Sequence, residues 1–313
     1  MEKTDLKKDQ RTVKKNRAMK IILTIIALII AARIAASMKL AESIMNGTRQ
    51  SLEQAMAWQK DHYDTSFYDE LETEKYTVEG HDGYVLNAEL LKNPNHDGRY
   101  IIISHGYTDN RYGSLKYAKL YLDLGYSCII YDLRGHGENK TTYTSYGLLE
   151  GKDLKALVDD TWERYSDIRQ LGLHGESLGA ASTITSLKYS PKVDFVVADC
   201  GFSDIVRVLK NGVKMGEGPE FIIDIASFGA KLRYGYALSD MRPIDALDEN
   251  TVPILFLHGA EDMFITPDNS KDMYERTKGK KELHLIEGAG HAESILKDPE
   301  TYGQYVREFL DSL

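Results

Sequence analysis

Residues 170–189, QLGLHGESLGAASTITSLKY, decide the fold. An apolar run ending at Gly175 passes almost directly into a helix-compatible stretch that begins at Leu178, and Gly175-Glu176-Ser177-Leu178-Gly179 stands at the junction. A strand that turns at once into a helix forces the residue at the turn into a strained backbone conformation. Glycines two positions to either side remove side chains that would collide there. The Ser177 hydroxyl then projects at a helix N-terminus, and the Leu178 backbone N–H points to where an oxyanion would form. The five-residue pattern is common by chance; the strand before it and the helix after it give it weight.

Outward from this junction, short β-branched or aromatic runs alternate with amphipathic stretches. Eight candidate strands follow one another: EKYTVEG, YVLNAELL, RYIIISHG, YSCIIYD, LGLHG, VDFVVAD, VPILFLHG and KELHLIEG. Helical patterns lie between most of them, at 114–124, 146–170, 178–189, 269–278 and 299–313. The later strands are continuously apolar, as a parallel sheet covered on both faces requires. The first two, joined by His81-Asp82-Gly83, read as an antiparallel hairpin entering that sheet. Residues 203–250, the longest gap, are helical and moderately apolar (PEFIIDIASFGAKL) and read as an insertion over the sheet's carboxyl edge.

A serine hydroxyl is a poor nucleophile near neutral pH. It needs a base, and the base needs an orienting carboxylate, expected in the chain order Ser, acid, His. His291, in Gly288-Ala289-Gly290-His291, follows the last strand in a glycine-rich loop. Asp262 follows the strand VPILFLHG, with Glu261 adjacent as the alternative acid. Of nine histidines, only His291 occupies the place this order requires. His105, His136, His174 and His258 sit at strand ends or glycine turns and read as structural supports, whereas His62, His81, His96 and His284 carry no special feature. The second oxyanion donor is expected in Ser104-His105-Gly106-Tyr107-Thr108, as the Tyr107 backbone N–H; an ordinary strand-ending turn is the competing reading.

Composition narrows the class. The 313 residues carry a net charge of −9, but residues 1–39 hold ten Lys/Arg against three Asp/Glu, a net +7 that leaves −16 for residues 40–313. An acidic body disfavours nucleic-acid partners, which Lys and Arg bind through phosphates. Cys128 and Cys200 are too few for a disulfide scaffold and have no zinc spacing. No H-E-x-x-H or P-loop occurs, and Gly135-His136-Gly137 lacks the third glycine of a dinucleotide fingerprint, so neither a metal nor a cofactor is expected.

The basic head, residues 1–20 (Lys7, Lys8, Arg11, Lys14, Lys15, Arg17, Lys20), precedes the apolar run Ile21 to Ala32. Ala18 to Met38 is long enough to span a bilayer if Arg33 snorkels to the interface. Residues 21–38 therefore read as a transmembrane anchor, or as a signal peptide with Ala35-Ala36-Ser37 as its cleavage site; a buried core helix is the bland alternative. Positive-inside logic puts the head in the cytoplasm and residues 40–313 outside, on a single-pass membrane protein, or secretes them if the segment is cleaved. Residues 39–70 read as a stalk or lead-in helix, and residues 71–313 as one α/β domain.

Taken together, the His105-Gly106 loop, Asp132-Leu133-Arg134-Gly135-His136-Gly137, GESLG, His258-Gly259-x-x-Asp262 and Gly290-His291 resemble the α/β-hydrolase superfamily, over roughly residues 74–313. The anchored head makes the chain similar to exported bacterial hydrolases grouped with lysophospholipases, feruloyl-type esterases and serine aminopeptidases. The resemblance implies an α/β-hydrolase fold with a mostly parallel eight-stranded sheet, helices on both faces and a helical cap. It also implies that the D-x-R-G-x-G loop braces the site, giving Arg134 and His136 no catalytic role. Related chains often continue that loop with Ser; here it reads Gly137-Glu138-Asn139-Lys140. The expected activity is hydrolysis of a small-molecule carboxylic ester by Ser177, Asp262 and His291, with Tyr107 and Leu178 amides on the oxyanion. The apolar face of Phe221–Leu232 is expected to contact an acyl or aromatic group, or else simply to pack on the sheet. Glu217, Glu220 and Asp224 in the cap leave open an aminopeptidase, whose substrate ammonium needs carboxylates. A catalytically idle binding protein on the same fold is the reading from another class. Substrate identity and oligomeric state are not legible.

Overall fold

Eight strands form one sheet: β1 (Thr73–Glu79), β2 (Val85–Leu91), β3 (Arg99–Ser104), β4 (Ser127–Tyr131), β5 (Gln170–Glu176), β6 (Phe195–Asp199), β7 (Ile254–Gly259) and β8 (Lys281–Ile286). The α-helices are α1 (Glu2–Met45), α2 (Leu52–His62), α3 (Ser66–Glu70), α4 (Leu115–Asp123), α5 (Glu150–Arg164), α6 (Leu178–Ser186), α7 (Ile205–Met215), α8 (Phe221–Tyr234), α9 (Asp268–Arg276), α10 (Ser294–Lys297) and α11 (Pro299–Asp311). These coordinates are a computed structural model that describes residues 2–313, with side chains from Lys14 onward. Lys7, Lys8 and Arg11 of the basic head lie outside the described side chains. The chain divides into two compact units: residues 45–220 with 239–313, and the helix through Ile44 with Phe221–Leu238.

In the larger unit the strand order is β1-β2-β4-β3-β5-β6-β7-β8. β1, β2 and β4 pair antiparallel, and the remaining pairs are parallel. The hairpin turn uses the left-handed region at Asp82 (φ 56°) and Gly83 (φ 70°). Alternation along the strands sends side chains to opposite faces. Ile101 and Ile103 of β3 join Leu115, Tyr117 and Tyr121 of α4 and Tyr302, Val306 and Phe309 of α11 in one core. α6 packs on β3, β5 and β6, and α9 on β7 and β8. β3 is flanked by β4 and β5, so the chain reverses direction across the sheet there. Crevices at the carboxyl ends of strands beside such a reversal are where open α/β sheets bind ligands.

Residues 39–70, read from sequence as a stalk or lead-in helix, are divided. α1 runs unbroken through Met45, and α2 opens on a Ser51/Gln54 capping box. Ala55 and Gln59 of α2 are fully buried, and Ala55 belongs to the core of the larger unit. The amphipathic spacing in 52–62 is the packing face of a globular element.

The smaller unit contains α1 and α8. Large apolar side chains from Met19 to Ile30 are 46–64% exposed, which rules out the reading of this run as a buried core helix. Lys14–Met45 is long and apolar enough to cross a membrane. α8 lies along the C-terminal part of α1: a Cβ on Gly229 would stand 2.0 Å from the Ser37 carbonyl oxygen, and Arg233 pairs with Glu42 at 3.2 Å.

Candidate active site

The turn after β5 meets the geometric demand read from its glycines. Ser177 has φ 54° and ψ −111°, a conformation strained for any residue with a side chain. A Cβ on Gly175 would lie 2.4 Å from the backbone of Gly179, and one on Gly179 would lie 2.1 Å from the Ser104 carbonyl oxygen. Only glycine at both positions lets strand, elbow and helix come this close to the end of β3. The Ser177 N–H donates to the Asp199 carbonyl at 2.9 Å, tying the elbow to β6.

From the elbow a hydrogen-bonded chain leads outward. Ser177 Oγ stands 2.9 Å from His291 Nε2, and His291 Nδ1 stands 2.7 Å from Asp262 Oδ2. The other Asp262 oxygen accepts the backbone N–H groups of Phe264 and Ile265, both at 2.9 Å. Burial alone would push the Asp262 carboxyl up, but hydrogen bonds from His258 and His291 outweigh it and hold the group at about 2. It is therefore ionised at neutral pH. The loops carrying Asp262 and His291 are held together by backbone: Glu261 N–H donates to Ala289 O at 3.0 Å, and Gly259 leaves room for the Ala289 and Gly290 carbonyls. The Glu261 side chain is exposed, so of the two adjacent carboxylates the structure brings Asp262 to the histidine.

The loop after β3 lies against the elbow, since a Cβ on Gly106 would be 3.8 Å from Ser177 Cβ. Buried His105 fixes this loop: its Nδ1–H donates to Gly106 O at 2.7 Å, while Nε2 accepts Leu133 N–H at 2.9 Å. Burial pushes the ring down to about 4, so it stays neutral and keeps both roles. A trans peptide directs its carbonyl and N–H oppositely. With the Gly106 carbonyl held by His105, the Tyr107 N–H points away from that ring. Leu178 opens α6, so its N–H has no acceptor within the helix. The Tyr107 ring stacks on Tyr146 at 5.8 Å, and its hydroxyl accepts Gly47 N–H at 2.9 Å. Beside His291 lies the Phe264 ring, at 5.3 Å.

The structure adds residues that sequence reasoning missed. Beside Ser177 in sequence, Glu176 pairs with buried Lys116, and the Tyr117 hydroxyl contacts Glu176 (2.6 Å) and Asp199 (3.0 Å). Tyr302 donates to Asp199 at 3.1 Å. Burial, with the nearby Glu176 charge, raises Asp199 to about 6. Glu176 and Asp199 were visible as carboxylates ending apolar strands, which is the one signal that could have marked them. His258, read as a support, has Nε2–H on Ile265 O at 2.7 Å and lies 3.3 Å from Asp262. The D-x-R-G-x-G loop is built on Asp132, which takes Arg111 through N–H (2.9 Å) and Nη1 (2.6 Å) as well as Glu138 N–H (2.9 Å). Gly137, at φ 53°, is the only residue type that fits against that carboxylate. Arg134 pairs with Asp153 at 2.7 Å, and His136 Nδ1 meets Arg134 O at 2.9 Å, both within supporting loops. Glu217 and Glu220 are exposed, and Asp224 lines a groove with Arg33 in the smaller unit.

A parallel sheet of this order, with a strained serine after β5 and a histidine after β8, defines an α/β hydrolase, and the chain belongs to the Alpha/beta hydrolase family, whose pattern matches residues 101–303. It is a hydrolase of that fold. It is 32% identical to the uncharacterized protein YqkD of Bacillus subtilis (strain 168), over 94% of this chain and 98% of that protein. It is 27% identical to mouse Alpha/beta hydrolase domain-containing protein 17C, over 67% of this chain and 66% of the mouse protein. Among solved structures it is similar to the Pyrococcus furiosus esterase Pf2001, with a TM-score of 0.66 and 24% identity over 80% of this chain and 94% of the esterase.

Proposed function

We propose that the protein is a membrane-anchored serine hydrolase that cleaves a carboxylic ester through an acyl-enzyme. The observation that carries this reading is the continuous chain from Ser177 Oγ through His291 to Asp262, at 2.9 and 2.7 Å. Ser177 Oγ attacks the acyl carbon while His291 Nε2 takes its proton, and Asp262 orients the ring and stabilises the resulting imidazolium. The Tyr107 and Leu178 amides hold the oxyanion. His291 then protonates the departing alkoxide. Water, deprotonated by the same ring, attacks the acyl-serine and releases the acid, returning the proton to Ser177. Half-exposed Phe264 beside His291 gives the rim an apolar character suited to an acyl group. The apolar stretch of α1 anchors the chain, with the basic head on the cytoplasmic side and the hydrolase unit outside.

The test is an ester panel of graded acyl length run beside an aminoacyl-anilide, with wild type and Ser177→Ala. Ester turnover that falls about 10³-fold or more in the variant supports the reading. Preference for the anilide would move the assignment to an aminopeptidase. Failure of a fluorophosphonate to label folded wild type would make the protein an idle hydrolase fold. Anchoring is checked by resistance of the full-length protein to alkaline extraction from membranes.

A further inference from the structure

α8 carries an apolar face that folding leaves bare. Phe221, Ile225, Phe228 and Leu232 are 60, 42, 55 and 49% exposed, and their spacing of three to four residues sets them on one side of the helix. Ile223, Ala226, Gly229 and Ala230, between them, are buried. The bare face is continuous with the apolar surface of α1: Phe221, Ile225 and Phe228 line a groove of about 820 Å³ together with Ile30 and Ile34, and Arg33 and Asp224 border it.

The pairing of α8 with α1 sets depth as well as contact. Gly229 faces Ser37 and Arg233 meets Glu42, so residue numbers rise together along the two helices. α8 therefore runs parallel to the anchor. Its Phe221 end points back toward Ile30 and the exposed apolar run, while its Lys231–Arg233 end points toward the polar part of α1. An aqueous partner covering this face would have to sit at the level of Ile30, a residue belonging to the stretch that lipid surrounds.

We propose that α8 is a second membrane element, whose Phe221–Leu232 face lies in the leaflet nearest the hydrolase unit and whose groove against α1 is filled by phospholipid acyl chains. Phe221 sits deepest, and the long Arg33 side chain snorkels from the groove toward the headgroups. Held parallel to the anchor, the helix turns its apolar side to the acyl chains that surround the C-terminal part of the α1 span. The inference rests on the reading of α1 as an anchor. It makes the insertion between β6 and β7 part of a two-helix membrane module.

The experiment uses full-length protein reconstituted in phosphatidylcholine–phosphatidylglycerol vesicles, with a nitroxide on single introduced cysteines. Both native cysteines are buried, which directs the label to the introduced site. Leu23→Cys reports the anchor; Phe221→Cys, Ile225→Cys and Phe228→Cys report the α8 face; Lys231→Cys reports its polar side. The expected result is an oxygen-to-nickel-chelate accessibility ratio at the three α8 sites at least about threefold above that at Lys231, and highest at Phe221. A lipid-like ratio at Leu23 with water-like ratios on the α8 face would overturn the proposal and leave the anchor intact. Spin–spin broadening on the α8 face would overturn it in favour of a second copy of the chain. Water-like ratios at Leu23 itself would remove the anchor and the proposal together. Circular dichroism melts of each labelled chain verify that the variants are folded.

Discussion

Asp262→Asn puts the proposed chemistry to its hardest test, because the structure dictates which way the amide must face. One Asp262 oxygen accepts two backbone N–H groups, from Phe264 and Ile265, at 2.9 Å each. An asparagine keeps its carbonyl oxygen there, since an NH2 group opposite two donors would leave all of them unsatisfied. The NH2 group is then turned toward His291 Nδ1, where Oδ2 stood at 2.7 Å, and can only donate. His291 is forced to carry its proton on Nε2, the atom facing Ser177 Oγ, so the base arrives already protonated. Loss of base and orienter together corresponds to about 10⁴-fold in kcat, or about 5.5 kcal/mol of barrier. Stability changes too. The Asp262 carboxyl is held at about 2 against 3.8 unperturbed, so its ionised form contributes about 2.5 kcal/mol near neutral pH. Because the folded value is depressed, that contribution is present above pH 3.8 and disappears as pH falls through about 2; the asparagine lacks it throughout. The assay is steady-state turnover of a p-nitrophenyl ester, with Glu261→Gln as the control, since that exposed side chain stands outside the hydrogen-bonded chain. A kcat for Asp262→Asn within tenfold of wild type, or an equal loss in Glu261→Gln, would refute the assignment of the acid.

Gly179→Ala places a methyl 2.1 Å from the Ser104 carbonyl oxygen and 2.7 Å from that of His105, both backbone atoms; a loss of about 3 kcal/mol in urea unfolding and slower fluorophosphonate labelling are expected. Lys116→Met strands the buried Glu176 charge and is expected to cost about 3–5 kcal/mol, much of it recovered when Glu176→Gln is added; a double-mutant cycle by chemical denaturation measures this. Asp199, raised to about 6, binds its proton more tightly folded than unfolded, so its stabilisation is complete below pH 3.8 and declines as pH rises through about 6. Wild type should lose about 3 kcal/mol from this group between pH 4 and pH 7, and Asp199→Asn, which keeps an acceptor for Tyr117 and Tyr302, should make the decline shallower by about that amount, with Asp109 and Asp153, also raised to about 6, leaving a residual slope.

The backbone logic of the fold was open to reading because it is local. Each of the eight strands announces itself by apolar or β-branched runs, and the order Ser177, Asp262, His291 follows from which strand each residue ends. Glu261 and Asp262 could be weighed against each other but not separated, since one step along a loop reverses which carboxylate turns inward. The Lys116–Glu176–Asp199 cluster was hidden because its members lie on three elements, and Lys116 in LKYAKLYLD looks like any solvated helix lysine. Arg111 was equally silent: nothing next to it in sequence indicates that Asp132 and Glu138 close around it. The course of α8 beside α1 depends on Gly229 fitting against Ser37, across nearly two hundred residues of chain, and no periodicity in either segment encodes that fit.

β8 is one of the two edge strands of the sheet, bonded only to β7, and five of its six residues are partly open to solvent. His291 hangs from the loop that follows it. Edge elements open locally at a fraction of the cost of global unfolding, and such an opening would carry the base away while leaving Ser177 on its elbow between β5 and α6. On the proposed mechanism, activity is thus tied to an edge of the sheet rather than to its centre. On heating, turnover would fade while the central strands are still closed to hydrogen exchange, and the inactivation temperature would report the C-terminal edge rather than the core.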